Sequence, residues 1–85
     1  MTQSELAAAI ARDAGLTPQQ ASAALVVALR TVQAALARGD SVALMGFGTF
    51  EVHAYPRKPG DKEWTGRRPA FRPGAALRRA VSAPE

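Results

Sequence analysis

Met45-Gly46-Phe47-Gly48-Thr49-Phe50-Glu51-Val52-His53-Ala54-Tyr55, followed by Pro56-Arg57-Lys58-Pro59-Gly60-Asp61-Lys62-Glu63-Trp64, is the stretch whose reading decides the fold. Before it, Val42 and Leu44 alternate with Ser41 and Ala43. Two glycines then bracket Phe47, where a turning backbone needs positive φ or close approach. The alternation resumes from Thr49 to Tyr55. This reads as a β-hairpin. Beyond Tyr55 the chain carries proline and charge, which cannot help to build a core. A third strand is expected to return through Trp64–Phe71.

Upstream, the period is helical. Thr2-Gln3-Ser4-Glu5 is a capping box, so a first helix is expected over about 3–14, with Leu6, Ala9, Ile10 and Ala14 as its apolar stripe and Gly15 as its stop. Thr17-Pro18-Gln19-Gln20 is a second capping box, with proline at the first helical position, where its missing N–H costs nothing. That helix should run to about Arg38, ended by Gly39. Leu25, Ala28, Leu29, Val32 and Leu36 form its stripe, but Val26 and Val27 put apolar surface on other faces too. A short helix and a small sheet can hardly cover it, so a second copy of the chain is expected to do so. After the strands, Arg72-Pro73-Gly74 opens a last helix, about 74–82, with Leu77 and Val81. The fold class is therefore α+β: two N-terminal helices, a three-stranded antiparallel sheet with a ribbon, and a short C-terminal helix. The divisions are a helical base over 3–38, sheet and arm over 41–72, and the final helix, all in one domain over 1–85.

Composition narrows the function. The chain has 85 residues, no cysteine and a formal charge of +4. Lack of cysteine excludes disulfides and thiolate metal sites. The first residues carry no basic n-region, and the longest apolar run, Ala23–Leu29, is short of a membrane span. A cytoplasmic chain with no membrane partner is the expectation. The charge is segregated. Residues 1–50 carry Arg12, Arg30 and Arg38 against Glu5, Asp13 and Asp40, which cancel, so all the excess lies downstream. A segregated basic face is the footprint of a polyanion binder. No catalytic constellation and no phosphate-binding loop is present in the sequence; His53 has no second histidine or cysteine with which to hold a metal, and Glu51, Asp61 and Glu63 are scattered through a basic region. The reading is a binder, not an enzyme, with no cofactor, no metal and no small-molecule substrate.

Thr17-Pro18-Gln19-Gln20-Ala21, Gly39-Asp40-Ser41-Val42, Gly46-Phe47-Gly48-Thr49-Phe50-Glu51-Val52 and Pro69-Ala70-Phe71-Arg72-Pro73-Gly74-Ala75-Ala76-Leu77 stand in an order and spacing that resembles the HU/integration host factor family of bacterial nucleoid DNA-binding proteins. The resemblance spans almost the whole chain. It implies an intertwined homodimer with a helical base, a saddle of strands and two β-ribbon arms that embrace duplex DNA. HU and integration host factor are themselves type examples of minor-groove, DNA-bending proteins. The strand that leaves the core becomes an arm, which needs charge rather than burial. Phe47, Phe50 and Phe71 fall at family positions that pack between subunits, and Leu25, Leu29, Val32 and Leu36 join them in the expected dimer core.

The resemblance places Arg57, Lys58 and Lys62 on the arm, and Arg67, Arg68 and Arg72 at its base and on the saddle. Arg78 and Arg79 sit on the last helix, either at the DNA flank or complementing the helix dipole. The arm departs from the family pattern: only the eighteen residues 51–68 separate Phe50 from Pro69, and the usual Arg-Asn-Pro tip is absent. Lys58-Pro59-Gly60-Asp61 has type II turn chemistry. If both arm strands are shortened equally, Pro59 stands where the family's intercalating proline would fall; it is also what the turn asks for. If Lys58 faces Asp61, Tyr55 faces Trp64. The implied function is a nucleoid-associated, histone-like protein that binds DNA with little sequence preference and bends or compacts it. The rival is a dimer of the same fold that serves as a protein-interaction or assembly module.

Overall fold

The computed structural model describes residues 1–55, 60 and 66–83. Its elements follow the order α1 (Gln3–Ala14), α2 (Pro18–Ala37), β1 (Val42–Leu44), β2 (Gly48–Ala54), β3 (Arg67–Pro73) and α3 (Ala75–Ser82). The chain forms two compact units, Met1–Gln33 and Ala34–Glu85, the boundary falling in α2.

In the first unit, local chemistry sets the helix ends. The Glu5 N–H donates to Thr2 Oγ1 at 3.2 Å, and the Thr2 N–H donates to Glu5 Oε1 at 3.1 Å. Thr17 and Gln20 repeat the exchange at 3.1 and 3.0 Å. Each box satisfies two N–H groups that a helix start would leave without partners. Gly15 ends α1 in the left-handed conformation, φ 69°. Packing within the chain is sparse. Among the described residues only Ala7, Ala21 and Ala35 are buried apolar side chains, and no large side chain is fully buried. Val27 is 59% exposed and Leu29 51%. By length and composition alone α2 is also long and apolar enough to cross a bilayer, although its uninterrupted apolar run is short and Arg30 lies within it.

The second unit opens with the end of α2. Asp40 N–H donates to Ala35 O at 2.9 Å, across Gly39 in a left-handed conformation. A tight turn then reverses the chain: Phe47 N–H donates to Leu44 O at 3.0 Å, with Gly46 at φ 79° in the third place, as a type II turn requires. The sheet is antiparallel in the order β1-β2-β3. Val42 pairs with Phe50 and Leu44 with Gly48 on one side of β2; Phe50 pairs with Phe71 and Ala54 with Arg67 on the other. Gly48 serves close approach: a Cβ there would lie 2.6 Å from Arg72 O and 2.7 Å from the Phe71 ring. Gly74 N–H donates to Phe47 O at 2.8 Å, which ties the start of α3 to the β1–β2 turn.

The architecture is the α+β class expected, with two corrections in detail. The third strand is described from Arg67 and continues to Pro73, two residues beyond Phe71. Tyr55 stands opposite Gly66, its N–H donating to Gly66 O at 2.9 Å, because the register set by Phe50 opposite Phe71 carries through to the strand end. Trp64 itself, with Arg57, Lys58, Pro59 and Lys62, lies outside the described residues.

Candidate nucleic-acid interface

Strand alternation divides the β2–β3 sheet into two unlike faces. Phe50, Val52, Pro69 and Phe71 occupy one, joined by Val42 and Leu44 of β1 through their pairing with β2. The Phe50 and Phe71 rings lie 4.8 Å apart between centroids, and Phe47 reaches Phe71 at 5.4 Å, distances at which tilted aromatic pairs attract. Yet Phe47 and Phe71 stay more than a third exposed. This face is a core with part of its cover missing.

The opposite face carries Thr49, Glu51 and His53 from β2, Tyr55 just beyond it, and Arg68, Ala70 and Arg72 from β3. The side chains of Arg72, Glu51, His53, Tyr55 and Arg68 form one chain of contacts. The same carboxylate oxygen, Glu51 Oε1, takes Arg72 Nη2 at 3.1 Å and His53 Nε2 at 2.9 Å. Since a carboxylate can only accept, Nε2 carries the proton of that contact. His53 Nδ1 faces Tyr55 Oη at 3.3 Å, and the Arg68 guanidinium lies 5.5 Å from the centre of the Tyr55 ring, within cation–π range. The hydrogen bond from His53 and the positive charge of Arg72 hold the Glu51 carboxyl below the ordinary carboxylate range, against the partial covering that would raise it.

The arginines expected to act together are separated by the register. Arg68 and Arg72 share the polar face. Arg67 is on the other, where its Nη2 donates to Ala37 O at 3.0 Å, closing the C-terminal end of α2 where a cation is favoured. Arg78 and Arg79 lie exposed on α3. The linkage of Glu51, His53 and Tyr55 was missed from the sequence, which treated the first as one of several scattered acids and the second as isolated. Their spacing of two along a strand was the available signal.

The chain has counterparts among known proteins in sequence and in fold. The family model described as bacterial DNA-binding protein matches residues 1–82. DNA-binding protein HU-beta of Pseudomonas fluorescens is 41% identical over 90 residues, an alignment covering 96% of this chain and all of the relative. The chain belongs to the HU family of bacterial DNA-binding proteins. Solved HU structures agree in fold: the Anabaena HU–DNA cocrystal structure aligns over 99% of this chain and 100% of its own with a TM-score of 0.84 at 38% identity, and HU from Thermotoga maritima over 95% and 98% with a TM-score of 0.75 at 33%. Within an HU chain, the glycines of the Gly46-Phe47-Gly48 turn and the Phe50–Phe71 pairing are what aim β2 and β3 so that Arg68 and Arg72 fall on one side.

Proposed function

We propose that this HU-family chain is a histone-like architectural protein that works as a homodimer, binding duplex DNA with little sequence specificity and bending or compacting it. The observation that carries the reading is the division of the sheet: Arg68 and Arg72 line one face, and the phenylalanine cluster stands part-covered on the other. A second copy supplies the cover. In this reading Leu25, Leu29, Val32 and Leu36 of α2, with Phe47, Phe50 and Phe71, are buried between subunits, and the apolar surface of α2 meets protein rather than lipid.

DNA is bound by counterion release. Arg68 and Arg72 of the saddle, and Arg57, Lys58 and Lys62 of the arm, neutralise phosphates, with Arg78 at the flank; guanidinium groups also enter a narrow minor groove. Arg67 contributes first by holding the end of α2. Such contacts carry little sequence information, because phosphates are the same at every base pair. Pro59 at the arm tip meets the groove edge, and the short arm yields a weaker bend than long arms produce. The protein acts as a binder rather than an enzyme, associated with DNA in the nucleoid.

The test is a gel shift on random-sequence duplex at two salt concentrations. With about six to ten phosphates contacted per dimer, affinity should fall roughly 10³–10⁵-fold between about 50 and 200 mM salt. A nearly flat dependence would overturn the reading and favour a protein-interaction role.

A further inference from the structure

We propose that Glu51 is an internal stand-in for DNA phosphate, which holds Arg72 and His53 in place on the sheet face and must yield them for DNA to bind, so that its charge and the protonation of His53 set the affinity of that face. The proposal rests on the DNA-binding reading above. Its geometry is direct. One oxygen receives both an arginine and a histidine N–H, at 3.1 and 2.9 Å, which is the donor arrangement a phosphate oxygen would accept. The two ends differ in exposure: the Glu51 side chain is 21% exposed and that of Arg72 is 73%. The guanidinium can therefore turn outward to a phosphate while the carboxylate stays on the sheet.

Charge accounting shows why this matters. Among the described residues, Arg68 and Arg72 against Glu51 give this face of one subunit a single net positive charge while His53 is neutral. Protonating His53, or removing the charge of Glu51, doubles it. The groups that face His53 among the described residues are Glu51 and Tyr55 on its own strand, Arg68 opposite it on β3, and Arg72 through Glu51; β1 brings no ionisable side chain. In the neutral ring Nδ1 accepts from the Tyr55 hydroxyl; in the protonated ring it donates to the same oxygen, so the contact survives the change. His53 is the chain's sole histidine. A phosphate arriving on the face favours the protonated ring, so the bound state holds more protons than the free one and binding tightens as pH falls.

The experiment is an anisotropy titration of a short random-sequence duplex with the full-length wild type, Glu51→Gln and His53→Gln, at about pH 8 and pH 6 and several salt concentrations. At the higher pH, Glu51→Gln should bind about 3–10-fold tighter than wild type, with a salt slope steeper by roughly one per subunit. Wild type should tighten by a similar factor on going to the lower pH, and His53→Gln should not. Calorimetry of the wild type in two buffers of different ionisation enthalpy should show proton uptake on DNA binding, a readout that needs no variant to fold. Equal or weaker binding by a folded Glu51→Gln, or absence of proton uptake by a wild type that does bind, overturns the proposal alone. A wild type that binds no DNA overturns the function on which it rests as well.

Discussion

The two faces of the β2–β3 sheet are built from alternate residues of the same two strands, yet they depend on different physics. Phe50, Val52 and Phe71 on one side need to be removed from water, and within a single chain they are only partly so. Glu51, His53, Tyr55, Arg68 and Arg72 on the other form a polar network that, in the function proposed, stays near water to meet what arrives from solution. In the function proposed, one face is completed by burial and the other by a ligand. A change on the first should therefore be read as lost folding, and a change on the second as altered binding by a folded protein.

Substitution at the aromatic junction should break the first face most severely. Phe71 meets both other phenylalanines, so Phe71→Ala should cost about 3–5 kcal/mol, enough to unfold a marginal small protein. Urea unfolding followed by circular dichroism, with sedimentation for assembly, measures it; a folded, stable monomer of the wild type at micromolar concentration would contradict the shared-core account. Gly48→Ala probes the same face through the backbone. Its added methyl would strike Arg72 O and the Phe71 ring, at a cost of about 1–3 kcal/mol in the same assay.

On the polar face, the paired substitutions Arg68→Gln and Arg72→Gln should weaken DNA binding by on the order of 10–10²-fold for all sequences alike, while the chain stays folded with only the small loss that the Arg72–Glu51 pair carries. Arg67→Glu sharpens the comparison, because its partner is the α2 carboxy-terminal carbonyl. It should lower stability by about 0.5–2 kcal/mol as well as weakening binding, as Arg68 should not. A binding loss of the same size with stability unchanged would show that Arg67 acts as the other two do.

The smallest expected effect is on acid stability. His53's hydrogen bond and Arg72's charge depress the Glu51 carboxyl, so its contribution is complete above the ordinary glutamate value of about 4.3 and is lost as pH falls below that, through the folded-state value. The midpoint of urea unfolding should therefore fall more steeply below about pH 4.3 in wild type than in Glu51→Gln. Parallel curves would show that the carboxylate is no better placed in the folded chain than in the unfolded one.

Much of the chain was legible because its signals are local. Thr2 with Glu5 and Thr17 with Gln20 lie three residues apart, so their boxes depend on one helical turn and little else. Gly46 marks its turn for the same reason. The class of the fold, the excess of basic charge after residue 50 and the surplus apolar surface of α2 needed no knowledge of how distant residues pair. The site was less legible. Arg67 and Arg68 are neighbours with the same chemistry, and nothing local says that one closes a helix while the other faces the sheet's polar side.

The amino-acid sequence by itself thus determined where helices begin and end, that a hairpin follows them, that aromatic and basic residues share its strands, and which family pattern they resemble. Only the tertiary structure decided that Phe50 stands opposite Phe71, Tyr55 opposite Gly66, and Glu51 within reach of Arg72 and His53. The reason is the period of a strand. Capping and turning are settled over a few residues, whereas register joins segments far apart in the chain, and a slip of one residue would move every side chain of β3 to the other face.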